Sequence, residues 1–216
     1  LRLSNNNIIR GNNCTLNGGH GGIYLNPSSN NNLIENNICD WNADHGIKLQ
    51  KSSNYNILRN NTCRNNVNAG IFLRTSDNNI IDSNILIGNK HNPGIILHTS
   101  CDNNTIINNI CNSNDEGIWL GFSSNNNVLI NNTCLNNRVR GILLWSTSNN
   151  TIINNTISLN GNGIYIDNSN HNKIYYNTIS KNWRGISIIG GNSIKNEIHQ
   201  NNIVGNIEWG LLNEAP

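Results

Sequence analysis

A short motif recurs along the chain at nearly constant spacing, and this periodicity restricts the available folds more than any other feature. The motif reads G-I-x-L, with Ile as the last residue in two copies, and begins at residues 22, 46, 70, 94, 117, 141, 163 and 185. A degenerate copy begins at residue 210, so the glycines are 24, 24, 24, 23, 24, 22, 22 and 25 residues apart. A fixed period of this length is typical of solenoids, in which each repeat packs only on its neighbours.

Between these motifs the chain follows the pattern N-x-h-x-x-N-x-h-x-x-N, where h is an apolar residue. Asn and Gly are poor residues for helix interiors, so their regular return in every unit excludes helical repeats. Asparagine fills three columns in all nine units: Asn7, Asn32, Asn56, Asn79, Asn104, Asn127, Asn150, Asn172 and Asn196; Asn12, Asn37, Asn61, Asn84, Asn109, Asn132, Asn155, Asn177 and Asn201; Asn17, Asn42, Asn66, Asn89, Asn114, Asn137, Asn160, Asn182 and Asn206.

The pattern predicts an all-β protein, a parallel β-solenoid of about nine coils. The G-I-x-L runs alternate with the period of two typical of strands, and 22–25 residues accommodate three strands joined by three corners. Asparagine suits the corners because it tolerates a left-handed backbone, and its amide can bond to the equivalent amide about 4.8 Å away in the next coil. The glycine column indicates either a positive φ or a close backbone approach.

The run G-I-x-L followed by S-x-N-N-x-I-x-x-N-x-I resembles the right-handed parallel β-helix repeat of NosD-like proteins and of the wider carbohydrate-binding and sugar-hydrolase family. The resemblance covers essentially the whole chain and implies a right-handed parallel β-helix. It implies no single activity, because the family includes lyases, epimerases and surface proteins. The chain has neither the Asp-Pro-His signature of mannuronan epimerases nor the carboxylate cluster of polygalacturonases. Pentapeptide-repeat helices are the second interpretation, but every unit breaks the five-residue step at G-I-x-L.

Composition and the chain ends add further expectations. Only 12% of residues are charged and the net charge is +2, so we expect no nucleic-acid partner. No apolar run approaches the roughly 20 residues needed to span a bilayer, so no membrane insertion is expected in this segment. Residues 1–216 are predicted to form a single β-helix domain without evident end caps. It is either an excised part of a longer extracellular or cell-surface protein or a protomer that stacks head to tail into a filament or sheath.

Five cysteines share one column with leucine and isoleucine, two residues after the second Asn of each unit. Interchange with Leu and Ile predicts a core position, where free Cys behaves as a small hydrophobe. No metal site and no cofactor are expected, because stacked equivalent residues form a line and do not converge on an ion. Disulfides between adjacent coils remain open but strained. Cys101 aligns with Ser29 and Ser53 in a turn and is predicted to be an exposed thiol. The column consists of Cys14, Cys39, Cys63, Leu86, Cys111, Cys134, Ile157, Ile179 and Ile203.

The middle residue of each G-I-x-L strand faces outward, and this outward column is unusually apolar. Aromatic rings stack on sugar faces, and cations bind uronate or sulfate groups, so the face is a candidate carbohydrate-binding surface. Packing against another surface protein explains the same apolar residues. The candidate residues are Tyr24, Lys48, Phe72, Trp119, Trp145, Tyr165 and Arg140.

The favoured hypothesis is an extracellular β-helix module with a structural or carbohydrate-associated role and no catalytic constellation. The alternative is a polysaccharide lyase, epimerase or hydrolase, with Asp115 or Glu116 as acid or base opposite His98 and near Arg74. Turns of variable length beside the G-I-x-L strands hold further polar and aromatic residues: His20, Asp44, His45, His91, Arg138, Trp183, Arg184, Glu208 and Trp209. A separate outward column with alternating charge predicts a structural salt-bridge ladder: Arg10, Glu35, Arg59 and Asp82.

Overall fold

The computed structural model describes residues 1–89 and 92–215, and within these ranges the chain forms 25 short β-strands and no helix. Consecutive strands belong to different sheets, and each strand pairs in parallel with the strand one repeat away. The prediction of a parallel β-helix with three sheets is confirmed.

The strands form three sheets. Sheet A consists of β1 (Ile8–Arg10), β3 (Leu33–Glu35), β5 (Ile57–Arg59), β8 (Ile80–Asp82), β11 (Thr105–Ile107), β14 (Val128–Ile130), β17 (Thr151–Ile153), β20 (Lys173–Tyr175) and β23 (Glu197–His199). Sheet B consists of β6 (Thr62–Arg64), β9 (Ile85–Ile87), β12 (Ile110–Asn112), β15 (Thr133–Leu135), β18 (Thr156–Ser158), β21 (Thr178–Ser180) and β24 (Asn202–Val204). Sheet C consists of β2 (Ile23–Leu25), β4 (Ile47–Gln50), β7 (Ile71–Arg74), β10 (Ile95–His98), β13 (Glu116–Gly121), β16 (Arg140–Trp145), β19 (Asn162–Asp167), β22 (Arg184–Ile189) and β25 (Trp209–Asn213).

The strand register places each residue on its equivalent in the neighbouring coil. In sheet C, Ile47 pairs with Ile71, Ile71 with Ile95, and Ile95 with Ile118. Because a shift of one residue would turn the apolar side chains outward, burial of one face fixes this register. Columns read from the sequence are therefore columns in space, about 4.8 Å apart per coil.

Asparagine ladders hold the three corners in this register. The Asn61 side-chain amide donates to Asn84 Oδ1 at 3.0 Å, and Asn84 donates to Asn109 Oδ1 at 3.0 Å. The same Asn84 amide also donates to the carbonyl of Leu58 at 2.9 Å, which joins the corner to β5 in the preceding coil. The residue before the ladder asparagine has a positive φ, as at Asn60 (53°), and this turns the chain into the next sheet. The predicted ladders are confirmed.

The glycine column is required by close approach, since the structure records no positive φ at these positions. A Cβ on Gly117 would lie 2.5 Å from the Gly141 carbonyl oxygen and 2.8 Å from Cys134 Sγ. No side chain fits between the coils at this corner.

The structure places the shared cysteine column in the interior. Cys39, Cys63, Cys111 and Cys134 are fully buried, whereas Cys14 is half-buried and packs against the core from the first coil. All six cysteines are free thiols. The neighbouring Cys39 thiol and burial raise the pKa of Cys63, and burial raises the pKa of Cys111, so these sulfurs stay protonated.

The prediction that Cys101 is an exposed thiol is wrong, because Cys101 is completely buried. It occupies an inward column of small hydroxyl residues that runs beside the first Asn ladder and includes Ser76 and Ser124. The Cys101 N–H donates to Ser124 Oγ at 3.2 Å, and the thiol points to the His98 carbonyl at 3.5 Å. Burial raises the pKa of Cys101 to about 12, so this thiol is not a nucleophile at neutral pH.

The outward charged column of sheet A forms the ion pairs predicted from its alternating sign. Arg10 lies 2.5 Å from Glu35, and Arg59 lies 3.8 Å from Asp82. Both arginines are about half exposed, so each pair contributes at most about 1 kcal/mol.

Candidate functional site on sheet C

The outward residues of sheet C form one continuous column, because the strands stack in register. Tyr24 pairs with Lys48, Lys48 with Phe72, and Trp119 lies two coils beyond Phe72. Leu143 and Tyr165 continue the column on β16 and β19. The structure therefore brings most of the candidate carbohydrate-binding residues onto one face.

An aromatic row, defined here as Phe72, His98, Phe122, Trp119 and Trp145, crosses several coils of this face. The Trp119 and Trp145 rings stack with centroids 5.8 Å apart and 17° between their planes. The Phe122 centroid lies 5.2 Å from that of Trp145 and 4.4 Å from that of His98. The exposed fractions of Phe122 and Trp145 are 38% and 39%, so the row presents apolar ring surface to solvent.

Beside the two indoles lies a cleft of about 190 Å³ with a charged pair in its wall. Glu116 Oε1 accepts a hydrogen bond from Arg140 Nη1 at 3.1 Å, and the Arg140 guanidinium lies 4.5 Å from the centroid of the Tyr165 ring. Burial raises the pKa of Glu116, although Arg140 opposes this shift. The cleft is lined by Glu116, Trp119, Arg140, Leu143, Trp145, Tyr165 and Asp167.

Two N–H groups in the cleft residues have no hydrogen-bond acceptor within residues 1–89 and 92–215. They are the Trp119 indole Nε1 and the Arg140 Nε, and both atoms are buried. The Trp119 nitrogen lies over Gly121, where a Cβ would come within 2.8 Å of it. Buried donors without acceptors cost about 1–3 kcal/mol each.

The predicted catalytic quartet is not assembled around one point. Arg74 and His98 are partners on adjacent strands, and burial together with Arg74 lowers the pKa of His98. Since His98 pairs with Gly121, it stands five residues along the strand from Glu116, about 16 Å away. Arg74 and His98 therefore lie at one edge of sheet C and Glu116 at the other.

Asp115 lies outside the cleft that contains Glu116. Its carboxylate accepts two hydrogen bonds from the Arg138 guanidinium, at 2.7 and 2.9 Å. It lines a different groove with Asn89, Asn114 and Arg138, at the corner before sheet C. The two adjacent carboxylates thus have separate partners and separate surroundings.

Sequence reasoning missed a polar cluster formed by Asp44, His45, Lys48 and Asn68 near Phe72. Asp44 accepts hydrogen bonds from Asn68 Nδ2 at 2.6 Å and Lys48 Nζ at 2.9 Å, and His45 Nε2 lies 3.3 Å from it. Burial opposes ionisation of Asp44, but these donors hold its pKa below the usual value. The turn sequence A-D-H-G was the available signal, but four residues cannot reveal contacts with the next coil. His91 lies outside the described residues.

His45 in this cluster is a buried neutral imidazole. Its Nδ1 accepts a hydrogen bond from the Ala69 N–H at 3.1 Å, and its ring stacks on Phe72 with centroids 4.5 Å apart. Burial lowers the pKa of His45 to about 4. The Lys48 ammonium lies 5.7 Å from the centroid of the Tyr24 ring and 5.6 Å from that of Phe72, so the charge is enclosed between two rings.

Comparisons of the sequence with protein families agree with this geometry. The family model described as periplasmic copper-binding protein (NosD) matches residues 94–211, and that described as right handed beta helix region matches residues 1–111. The chain belongs to the NosD-like right-handed β-helix family. Among curated proteins, no sequence matches significantly.

Solved structures similar to this NosD-like chain are also β-helices. A point mutant of the periplasmic alginate epimerase AlgG is 27% identical with a TM-score of 0.70, over 74% of this chain and 38% of that protein. The A-module of the Azotobacter vinelandii mannuronan C-5 epimerase AlgE4 is 15% identical with a TM-score of 0.71, over 87% of this chain and 65% of that module. A tailspike mutant of an E. coli bacteriophage, solved with a pentasaccharide, is 10% identical with a TM-score of 0.61, over 76% of this chain and 42% of that protein. The last two show the fold alone.

The copper in the NosD family description has no matching donor set in the part of the chain that the structure covers. No three His, Cys, Asp or Glu side chains converge there, and the sequence contains no Met. The column cysteines lie in a line inside the core, with Cys63 and Cys111 held protonated. These residues do not fit a copper site. In the same ranges, no helix has the length and apolarity of a membrane span.

Proposed function

We propose that this NosD-like chain is a cell-envelope module that binds a polysaccharide on the outward face of sheet C. The observation that carries the proposal is the stacked pair Trp119 and Trp145, half-exposed beside the Glu116–Arg140 pair. Stacked rings next to a fixed donor and acceptor are the combination that sugar rings require, an apolar face with polar hydroxyls at its edge.

The shape of the face supports a polymeric ligand. The aromatic row runs across the strands from β7 to β16, and each coil advances about 4.8 Å along the axis. Rings at successive coils offer repeated contacts to a chain that lies along the axis. Individually weak contacts add when the ligand has many units, so a polymer gains more than a monosaccharide.

The similar structures support the carbohydrate class but not a particular sugar. AlgG is named for epimerisation of alginate, a polysaccharide, and is periplasmic, as is the NosD of the family description. The chain spans less than half of the matched AlgG mutant, so the activity of the whole enzyme does not transfer with the fold. The similarity supports two parts of the proposal, a polysaccharide as the partner and the cell envelope as the location.

Binding is tested by titrating the chain with a panel of acidic and neutral polysaccharides in isothermal calorimetry. Trp145→Ala removes one half of the stacked pair and is expected to weaken binding about 5- to 150-fold, because a stacking ring contributes on the order of 1–3 kcal/mol. Tyr176→Ser is the control, since it removes a ring of 51% exposure from the corner between sheets A and B, where Ser83 occupies the equivalent position in another coil.

The two variants separate the outcomes. Loss of affinity in Trp145→Ala with normal affinity in Tyr176→Ser supports the sheet C face. Absence of binding to every polysaccharide, or equal affinity in both variants, contradicts the proposal. In that case the alternative predicted from the sequence, packing of this face on another surface protein, takes its place.

The second candidate function is a polysaccharide-active enzyme, favoured by the environment of Glu116. Burial keeps its pKa raised while Arg140 stands beside it, so a general acid and a cation for a sugar carboxylate share one cleft. We expect Glu116→Gln to abolish any product release from a bound polysaccharide, measured by mass spectrometry, and Asp115→Asn to retain it. Binding without turnover in the unaltered chain favours the first function. Head-to-tail stacking remains a prediction from the sequence.

A further inference from the structure

The corners at the two ends of sheet A display a modification motif in a uniform conformation. In the inner coils the ladder asparagine at these corners is buried, and the residue before it has a positive φ and is exposed or half-exposed. The residue after it begins a strand with its side chain outward. Where the three residues are Asn-Asn-Thr, the first Asn and the Thr form an N-glycosylation sequon.

Five corners have this sequence, and all five acceptor asparagines are exposed with φ between 53° and 58°. Within the described chain, neither the side chains of these asparagines nor the hydroxyls of the threonines two residues later form a hydrogen bond with a protein group. The amide nitrogen and the threonine hydroxyl are therefore both available to an enzyme. The acceptors are Asn60, Asn103, Asn131, Asn149 and Asn154, and the threonines are Thr62, Thr105, Thr133, Thr151 and Thr156.

The fold explains why the ladder asparagines themselves are never acceptors. Two residues after a ladder asparagine the side chain points into the core, as Leu86 does after Asn84 and Cys134 does after Asn132. Serine or threonine there would bury an unpaired hydroxyl. In each of these sequons the acceptor is therefore a solvent-facing asparagine that is not part of a ladder.

We infer that these five corner asparagines are sites of N-linked glycosylation. The donor would be a glycan carried on a polyisoprenoid phosphate. A bond forms between the asparagine side-chain nitrogen and the anomeric carbon, and the bond between that carbon and the phosphate oxygen breaks. The lipid phosphate leaves with the electron pair, and the amide nitrogen gives one proton to a base of the transferase. This inference is independent of polysaccharide binding.

The positions also predict how the glycans are distributed. Asn131 and Asn154 lie on successive coils of the corner between sheets A and B, about 4.8 Å apart. Glycans at that spacing compete for room, so each of these two sites is expected to be occupied in a smaller share of molecules than Asn60, whose neighbours in the column carry no sequon. The corner before sheet C, beside Glu116, carries no sequon, and the cleft therefore stays uncovered at that edge.

The test uses the full protein isolated from its own cells and glycopeptide mapping by mass spectrometry. Val128→Thr creates a sequon at Asn126, an exposed corner residue with φ 56°, and places threonine between Thr105 and Thr151 in the same column. Thr151→Val removes the sequon at Asn149 with little change in shape. We expect glycan at the five acceptors, gain at Asn126 in the first variant and loss at Asn149 in the second. Unmodified asparagine at all five native positions, or no gain at Asn126, would overturn the inference.

Discussion

Cysteine occupies two kinds of buried position in this chain. The positions differ in polarity, and this difference determines which residue can replace each cysteine. Cys134 stands in the core column between the Cys111 thiol on one side and Ile157 on the other. Cys101 stands in a column of serines, where Ser124 Oγ donates to the Gly121 carbonyl at 2.7 Å. A hydroxyl at the Cys101 position has a carbonyl oxygen as its acceptor, whereas one at the Cys134 position has only the Cys111 sulfur, a weak acceptor.

Serine substitution separates the two slots. Cys134→Ser buries a hydroxyl beside a weak sulfur acceptor and should lower the free energy of unfolding by about 1–3 kcal/mol. Cys101→Ser should change the free energy of unfolding by less than about 0.5 kcal/mol. The new hydroxyl can donate to the His98 carbonyl, which is equivalent to the Gly121 carbonyl that Ser124 contacts. Urea unfolding followed by circular dichroism measures both. Equal losses in the two variants would refute the assignment of Cys101 to the hydroxyl column.

His45 should make the stability of the fold depend on pH below neutrality. Its pKa is about 4 in the folded chain and 6.5 as a free side chain, so the unfolded state binds the extra proton first. The stabilisation is complete above pH 6.5, falls as the pH drops to about 4, and amounts to ~3 kcal/mol. Urea midpoints from pH 7 to pH 4 measure it. His45→Asn keeps an acceptor for the Ala69 N–H but cannot titrate, so a slope that persists in this variant would exclude His45 as its source.

At the scale of the strand and corner, the glycine of each G-I-x-L motif sets how closely two coils approach. The chain pattern indicated a special position there but left two explanations open. The repeat alone does not distinguish a positive φ from close approach, because close approach depends on atoms of the next coil. The Gly141 carbonyl near Gly117, for example, is 24 residues away in sequence. The Asn ladders, in contrast, followed from the sequence because each partner is the same residue type at the same place in the repeat.

Alanine at this glycine should separate the coils locally. Gly117→Ala places a methyl group 2.5 Å from the Gly141 oxygen, and overpacking of this kind costs about 1–3 kcal/mol. Gly19→Ala is the matched control, because a Cβ there meets no atom within 4 Å. Thermal unfolding of both variants should show a lower midpoint for Gly117→Ala alone. An unchanged midpoint in Gly117→Ala would contradict the close-approach explanation.

At the scale of the whole molecule, the periodic part of the chain was predictable and the irregular part was not. Columns of Ile, Leu and Asn determine the sheets and the interior, because stacking places like residues on one another. Asp115 and Glu116 have different partners because of the conformation of a single turn. The hydrogen bond between Asn68 and Asp44 depends on side-chain conformations in two coils. The proposed carbohydrate binding depends on this irregular face, whose residues the repeat positions but does not specify.

The most direct test of that central claim is the response of the five tryptophan indole N–H signals in a ¹⁵N NMR titration with a polysaccharide that binds. If the polysaccharide binds on sheet C, the indole N–H signals of Trp119 and Trp145 will shift. Trp41 and Trp183, which are 53% and 52% exposed at other corners, should keep their positions. Shifts at Trp41 or Trp183 with none at Trp119 and Trp145 would contradict it.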